Sequence, residues 1–97
     1  MNLNSNISIV IPTYNRLDLL KYCIHSVSEQ TIDNWECILV DDGSADEALD
    51  YLHGLVKKDR RFKLIRKSPD QIKGAPASRN LGMEASSSDL LMFLDSD

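Results

Sequence analysis

The sequence predicts an α/β fold, a Rossmann-like parallel sheet with helices on both faces. Strand-like and helix-like segments alternate four times along its 97 residues, an alternation typical of a parallel sheet covered by helices. The strand-like segments are short apolar runs, as expected for strands buried on both faces. Right-handed crossovers limit the possible arrangements, and we expect the strand order 3-2-1-4, in which the winding direction reverses between strands 1 and 4.

The first strand and the first helix occupy the stretch after the polar N-terminal residues. Residues 7–11 form a β-branched run closed by Pro12, which predicts a buried strand. Asn15 is placed to cap the next helix, and Asp18 falls in its first turn, where the helix dipole favours an anion. Apolar residues then recur at helical spacing, so we expect an amphipathic helix over residues 17–30.

The second strand is predicted over residues 35–40, directly before Asp41 and Asp42. Ser44 and Glu47 have the spacing of a capping box, which predicts that they open the second helix. The apolar face of that helix carries Ala45, Ala48, Leu49, Leu52, Leu55 and Val56.

The third strand is a short run over residues 62–66. Residues 67–76 contain two prolines and a glycine, which predicts a mobile loop. A short helix is expected over residues 77–85, with Leu81 and Ala85 on one side. No repeat or linker divides the chain, so a single domain is expected.

The fourth strand is predicted as a buried strand over residues 90–94, and polar residues follow it and its two neighbours. They are Thr13, Tyr14 and Asn15 after strand 1, Asp41 and Asp42 after strand 2, and Asp95 and Asp97 after strand 4. Ligands of such sheets bind outside the carboxyl ends of the strands, where the winding reverses. Four carboxylates gathered there would repel one another and raise their pKa values, a conflict that a divalent cation removes. Mg²⁺ or Mn²⁺ carrying a diphosphate ligand is therefore expected.

Each of these polar residues also has a structural interpretation. Asp41 caps a helix or makes a structural hydrogen bond, or it faces the ligand, as we expect of Asp42. Tyr14 either covers the end of the core or stacks on a nucleobase, and its place beside the crevice favours stacking. Arg79 is either an exposed helix charge or a guanidinium that reaches a phosphate or a carboxylate.

Composition excludes some functions and predicts a compartment. The net charge of −4 argues against a general nucleic-acid binder, which needs a basic surface. No apolar stretch approaches the roughly 20 residues of a membrane-spanning helix, and the N-terminus does not resemble a signal peptide. Cys23 and Cys37 lack metal-site spacing and are expected to be buried thiols. We therefore expect a cytoplasmic protein.

Four motifs of this sequence, in the same order and spacing, resemble those of family 2 glycosyltransferases, which have the GT-A fold. They are Ile9-Val-Ile-Pro-Thr-Tyr-Asn-Arg16, Leu39-Val-Asp-Asp-Gly-Ser44, Ala77-Ser-Arg-Asn-Leu-Gly82 and Phe93-Leu-Asp-Ser-Asp97. The resemblance covers nearly the whole chain from Ile7 onward, and agreement over four ordered motifs argues strongly against chance.

The resemblance implies roles in binding the nucleotide-sugar donor. Pro12, Thr13 and Tyr14 would line the donor site, with Tyr14 stacking on the base. Asp42 would accept a hydrogen bond from the base, most naturally from the N3–H of uracil. Arg79 matches an arginine that approaches the base and the nearby phosphates. The implied donor is a UDP-sugar, with a thymidine nucleotide-sugar as the alternative.

Asp95 and Asp97 match the DXD motif of the family. Asp97 would bind Mn²⁺ or Mg²⁺ directly, and Asp95 would lie nearer the ribose or the sugar. The metal would bridge the diphosphate and offset the charge on the leaving nucleotide. The family inverts the anomeric centre, and a carboxylate base deprotonates the acceptor hydroxyl.

This sequence departs from the family in one respect. In the family, the general base and most of the acceptor site follow the DXD motif, whereas this sequence stops at the motif. We therefore expect residues 1–97 to be a donor-binding subdomain truncated at this motif, with no catalytic residue of its own and no activity alone. The acceptor would be a glycan, lipid-linked or other hydroxyl. A lipid-linked glycan acceptor would bring the full-length protein to the inner face of the membrane. An uncovered apolar edge at strand 4 suggests a homodimer.

Other classes of protein share this architecture. A non-catalytic binding or interaction module of the same fold is the main alternative, and the sequence that follows residue 97 distinguishes it from the enzyme. A signalling receiver domain would carry its acidic pair after strand 1, and a dehydrogenase would carry a Gly-rich turn there. Strand 1 is instead followed by Thr13, Tyr14 and Asn15, which argues against both.

Overall fold

A computed structural model describes residues 7–14, 17–29, 34–88 and 90–94. Strands and helices alternate along these residues, as β1 (Ile7–Thr13), α1 (Leu17–Ser28), β2 (Trp35–Asp41), α2 (Asp46–Lys58), β3 (Phe62–Arg66), α3 (Ala75–Ala85) and β4 (Leu90–Phe93). All strand pairs are parallel and the sheet order is β3-β2-β1-β4. The predicted fold class and strand order are therefore confirmed.

One face of the sheet is covered by α1 and α2. Asp18 lies in the first turn of α1 as predicted, and the predicted cap Asn15 lies outside the described residues. The helix ends at Ser28 and Glu29 lies in a turn, so the predicted helix over residues 17–30 is too long at its end. The core on this face consists of Ile9, Ile11, Leu20, Cys23, Ile24, Val27, Trp35, Cys37, Leu39, Leu52 and Phe62. Cys23 and Cys37 are buried free thiols, and burial raises the pKa of Cys37.

The opposite face is covered by α3, so helices lie on both faces as predicted. Val10, Ile38 and Val40 form a smaller core there, and Leu81 of α3 packs against it. The buried positions of α3 are Ser78 and Gly82. Because both side chains are small, the helix can lie close to β1.

The predicted capping box at Ser44 is wrong. The helix α2 begins at Asp46, and its N-cap Ala45 makes no side-chain hydrogen bond. The Asp41 carboxylate instead accepts the N–H groups of Gly43 and Ser44, at 3.1 and 3.0 Å. These hydrogen bonds form the turn that precedes the helix. Two acidic residues in the first turn of α2 complement the helix dipole. Ala45 is consequently exposed rather than part of the apolar face.

The start and the buried face of α3 also differ from the prediction. The helix begins at Ala75 rather than at Ala77, and Pro76 lies in its first turn. Proline is compatible with that turn because the N–H it lacks would have no partner within the helix. Ala85 is exposed, since the close approach of α3 to β1 occurs at Ser78 and Gly82.

The strand β4 is an edge strand and is not buried, which corrects the prediction for residues 90–94. Leu90, Met92 and Phe93 are 61%, 55% and 44% exposed. Within the described chain β4 pairs with β1 on one side, and its other side has no strand neighbour. An apolar run predicts a strand correctly but does not reveal whether anything covers it. No helix in the described ranges is long and apolar enough to cross a membrane.

Candidate functional site

The carboxyl ends of β1 and β2 place the predicted polar residues side by side. Thr13 pairs with Asp41 in the parallel register, and the N–H of Asp42 donates to the carbonyl of Thr13 at 3.0 Å. This bond extends the ladder by one residue. Tyr14 and Asp42 therefore leave the sheet at the same edge, and the Tyr14 ring is 53% exposed.

Two adjoining clefts open at this edge. The first, of about 190 Å³, is lined by Pro12, Thr13, Tyr14, Asp42, Gly74, Ala75 and Ser78. The second, of about 320 Å³, is lined by Tyr14, Asp42, Gly43 and Lys73. The structure thus brings together four of the predicted site residues, Pro12, Thr13, Tyr14 and Asp42.

The remaining predicted site residues do not join this group. Arg79 lies half-buried in α3. It is not one of the described residues that line either cleft. Asp95 and Asp97 lie outside the described residues. Their predicted roles stay predictions.

Asp42 links the end of β2 to the start of α3. Its Oδ2 accepts the N–H of Gly74 at 2.7 Å. Its Oδ1 lies 3.3 Å from Nζ of Lys67 and 3.9 Å from Nζ of Lys73. The carboxylate is 14% exposed and has two cations beside it, so its position in the cleft is fixed and its charge is compensated.

Lys67 is a part of this site that the sequence analysis missed. Its side chain is completely buried, and Nζ donates to the carbonyls of Ile72 and Gly74 at 2.9 and 3.1 Å. These two hydrogen bonds and the ion pair with Asp42 compensate the burial of the ammonium group. The predicted mobile loop is therefore anchored to the site by its first residue. The available signal was a lysine directly after a strand, at the edge where ligands bind.

Asp41 has the structural role that was one of its two predicted alternatives. It is 1% exposed, and its Oδ2 holds the turn at Gly43 and Ser44. Gly43 has φ +107°, a backbone conformation that residues other than glycine rarely adopt. The turn after β2 is thus built from Asp41 and Gly43, and it leaves Asp42 to face the cleft.

Two hydroxyl groups in the lining of the first cleft have no hydrogen-bond partner within the described chain. They are Oγ1 of Thr13 and Oγ of Ser78, in residues that are 2% and 1% exposed. Buried polar groups are nearly always paired, so exceptions call for an explanation. A ligand with polar edges would supply the missing partners.

The described carboxylates do not by themselves form a metal site. The charge conflict predicted between carboxylates is resolved at Asp41 by backbone N–H groups and at Asp42 by Lys67 and Lys73. Within the described part of the chain, no group of three or more His, Cys, Asp or Glu residues could hold a metal ion. The predicted ligands Asp95 and Asp97 fall outside that part.

A parallel sheet with clefts outside the carboxyl ends of its strands is typical of ligand-binding α/β proteins. The sequence profile of the family described as glycosyl transferase family 2 matches residues 8–97. The chain therefore belongs to glycosyl transferase family 2.

Curated relatives support this assignment. An uncharacterized glycosyltransferase of Haemophilus influenzae is 41% identical over 91 residues, which are 94% of this chain and 36% of the relative. The poly(ribitol-phosphate) beta-glucosyltransferase of Bacillus spizizenii is 38% identical over 94 residues, which cover 94% of this chain and 14% of the relative. The chain thus spans only a minor part of the length of these relatives.

Solved structures share the fold. TarS of Staphylococcus aureus, residues 1–349 in complex with UDP, superposes with a TM-score of 0.81 at 25% identity, over 95% of this chain and 27% of that 1–349 chain. The mannosyltransferase PcManGT of Pyrobaculum calidifontis, in complex with GDP-Man and Mn²⁺, gives 0.78 at 18% identity, over 99% of this chain and 28% of that one. These likenesses confirm the predicted GT-A architecture.

Proposed function

We propose that this chain binds the donor of a glycosyltransferase of the hexosyltransferase type, which transfers a sugar from a nucleoside diphosphate to an acceptor hydroxyl with inversion. The observation that carries the proposal is the cleft at the ends of β1 and β2. It combines an exposed aromatic ring, Tyr14, with a fixed carboxylate, Asp42, and two unpaired hydroxyl groups. An aromatic face and convergent polar groups suit a planar heterocycle with polar edges.

The proposed donor is a UDP-sugar. A carboxylate accepts hydrogen bonds and cannot donate them, so Asp42 suits a base that presents a ring N–H, as uracil does at N3. TarS has been solved in complex with UDP and with UDP-GlcNAc, and glucosyl-3-phosphoglycerate synthase of Mycobacterium tuberculosis with UDP and Mn²⁺. These ligands of structural neighbours support the same class of donor here.

Asp97 and Asp95 would hold Mn²⁺ or Mg²⁺ against the diphosphate, where the cation offsets the charge that develops on the leaving nucleotide. Mn²⁺ accompanies the nucleotide ligands of two structural neighbours. The general base that deprotonates the acceptor belongs, in this proposal, to the part of the relatives that this chain does not span. Transfer activity is accordingly not expected from residues 1–97 alone.

The proposed acceptor is a growing polysaccharide or another glycan hydroxyl. Two relatives are named for the synthesis or glycosylation of polymers. They are a putative teichuronic acid biosynthesis glycosyltransferase of Bacillus subtilis at 35% identity and the poly(ribitol-phosphate) beta-glucosyltransferase. We place the full-length protein in the cytoplasm, at the inner face of the membrane when its acceptor is lipid-linked. Fractionation of cells that express it would test this location.

The proposed donor site is tested by calorimetric titration of UDP with and without Mn²⁺. We expect metal-dependent binding to the unmodified chain. Asp42→Asn should weaken the affinity for UDP at least about tenfold in both conditions, because it removes a charged hydrogen-bond acceptor while keeping the shape of the side chain. Asp97→Ala should remove only the dependence on Mn²⁺.

The control for this titration is Asp50→Asn, which changes an exposed carboxylate on α2 away from the clefts and should leave UDP affinity unchanged. Failure of the unmodified chain to bind UDP in either condition would contradict the proposed function. Equal binding by Asp42→Asn would contradict the role of Asp42 in base recognition.

We also propose that the exposed β4 edge allows two copies of this chain to associate. The edge presents Leu90, Met92 and Phe93, and an unpaired apolar edge strand is a ready site for pairing with another strand. Light scattering should show an apparent mass that rises with concentration, and Met92→Lys should reduce the rise. A constant monomer mass over a hundredfold range of concentration would refute the homodimer.

A further inference from the structure

Ser78 is a buried serine whose hydroxyl has no partner in the described chain. It lies in the first turn of α3 and is 1% exposed. A serine inside a helix commonly donates its hydroxyl to the carbonyl four residues earlier, which here is the carbonyl of Gly74. That carbonyl already accepts the N–H of Ser78 at 3.1 Å and Nζ of Lys67 at 3.1 Å. Because a carbonyl oxygen has two lone pairs, the usual intrahelical partner of the hydroxyl is fully used.

The Ser78 hydroxyl also belongs to the lining of the first cleft, together with Thr13, Tyr14 and Asp42. This cleft of about 190 Å³ is smaller than the roughly 300–1,000 Å³ of sites that enclose whole small molecules. It therefore fits one part of a larger ligand. A single planar ring stacked on Tyr14 is a part of suitable size and shape.

The polar groups around the cleft differ in what they can recognise. Asp42 only accepts hydrogen bonds. The side chain of Lys67 is completely buried, and its Nζ donates to the carbonyls of Ile72 and Gly74 and forms an ion pair with Asp42. Lys73 lines the adjoining cleft rather than this one. Among the side chains that line the first cleft, the hydroxyls of Ser78 and Thr13 are buried donors without a partner in the described chain, so either can donate to a ring carbonyl.

We propose that Ser78 is a specificity-determining residue that donates its hydroxyl to a carbonyl of the uracil base, while Asp42 accepts the ring N–H beside that carbonyl. This inference rests on the proposed function of the cleft as the donor site. Uracil places its N3–H between two carbonyl groups. The Asp42 carboxylate can therefore accept the N3–H while the Ser78 hydroxyl donates to the carbonyl next to it. Ser78 lies one residue before Arg79, the residue of this helix that the family resemblance assigns to nucleotide binding.

Ser78→Ala tests the proposal because it removes one oxygen and leaves the helix intact. We expect UDP to bind about tenfold more weakly, the loss typical of one hydrogen bond left unmade. Ribose 5-diphosphate, which is the same ligand without its base, should bind equally to both proteins. The melting temperature should not fall, because the substitution removes a buried hydroxyl that has no partner in the unliganded protein.

The matched control is Ser86→Ala, which removes a hydroxyl at the other end of α3, where Oγ donates to the carbonyl of Met83 at 2.8 Å. It should leave the affinity for UDP unchanged. Unchanged UDP affinity in Ser78→Ala, or equal weakening of UDP and ribose 5-diphosphate, would overturn the role of Ser78 while leaving the proposed donor site in place. An unmodified chain that does not bind UDP would overturn the proposed function and this inference with it.

Discussion

Replacing Gly82 by alanine is expected to lower the free energy of unfolding by about 2 kcal/mol. A Cβ atom at Gly82 would lie 2.3 Å from Cγ1 and 2.9 Å from Cγ2 of Val10, which is completely buried in β1. Contacts between carbon atoms are favourable near 3.5–4.0 Å, so either α3 or β1 must move. Overpacking of this kind costs about 1–3 kcal/mol, and the severity of the contact places it at the upper end. The gain of about 1 kcal/mol in helix propensity is too small to compensate.

Gly54→Ala provides a control of opposite sign in α2. No atom lies within 4 Å of a Cβ built at Gly54, and the residue is exposed. Alanine there should raise stability by up to about 1 kcal/mol, because glycine is unfavourable inside a helix. Urea denaturation of Gly82→Ala and Gly54→Ala would measure both effects, and adding Val10→Ala and Val10→Ala/Gly82→Ala would measure the coupling between Val10 and Gly82. A Gly82→Ala protein as stable as the unmodified one would show that α3 does not lie this close to β1.

The close approach at Gly82 also matters for the candidate site. Ser78 lies one helical turn before Gly82 on the same buried face of α3. A helix displaced from β1 would carry Ser78 away from the cleft together with Gly74, whose N–H binds Asp42. We therefore expect Gly82→Ala to weaken UDP binding as well as folding, although the substituted residue lines neither cleft.

The fold could be predicted from the sequence because its signals are local. Alternating apolar runs and helical periodicity depend on neighbouring residues, and four successive units restrict the sheet to few topologies. The exposure of β4 could not be predicted in this way, since an apolar run at Leu90 has the same pattern whether or not another element covers it. The capping box predicted at Ser44 was wrong for a related reason. The Asp41 carboxylate binds the backbone N–H groups of Gly43 and Ser44, and the helix begins only after this turn.

The candidate site was predictable where it depends on strand ends and not where it depends on tertiary contacts. Thr13, Tyr14 and Asp42 follow β1 and β2 directly, so the sheet topology alone brings them together. Lys67 reaches Asp42 because the loop after β3 folds back, and Ser78 reaches the cleft because α3 packs closely on β1. Neither contact has a short-range signal in the sequence.

A buried carboxylate at the opposite end of the sheet is expected to make stability depend on acid pH. Glu36 in β2 is 2% exposed, and its Oε1 accepts Nζ of Lys63 at 2.6 Å. Its Oε2 accepts the hydroxyl of Ser8 and both the N–H and the hydroxyl of Ser87. Burial alone would raise the pKa of Glu36, but the hydrogen bonds from Lys63, Ser8 and Ser87 outweigh it and lower the pKa to about 2.

The pH range of this effect follows from the direction of the shift. The folded-state pKa of about 2 lies below the ordinary value of 4.5, so the folded protein favours the ionised carboxylate more than the unfolded chain does. The stabilisation of about 3 kcal/mol is complete above pH 4.5 and is lost as the pH falls toward 2. Glu36→Gln should therefore be less stable by about that amount at pH 7, and the difference should shrink in acid.

Urea denaturation between pH 7 and pH 2.5 would measure this difference, with Glu84→Gln as the control. Glu84 is exposed on α3, so its substitution should change neither stability nor pH dependence. The affinity of Glu36→Gln for UDP at pH 7 should match that of the unmodified chain, because Glu36 joins β1, β3 and the segment after α3 at the end of the sheet away from the cleft. A stability difference that stays constant from pH 7 to pH 2.5 would show that the charge on Glu36 is not what holds these segments together.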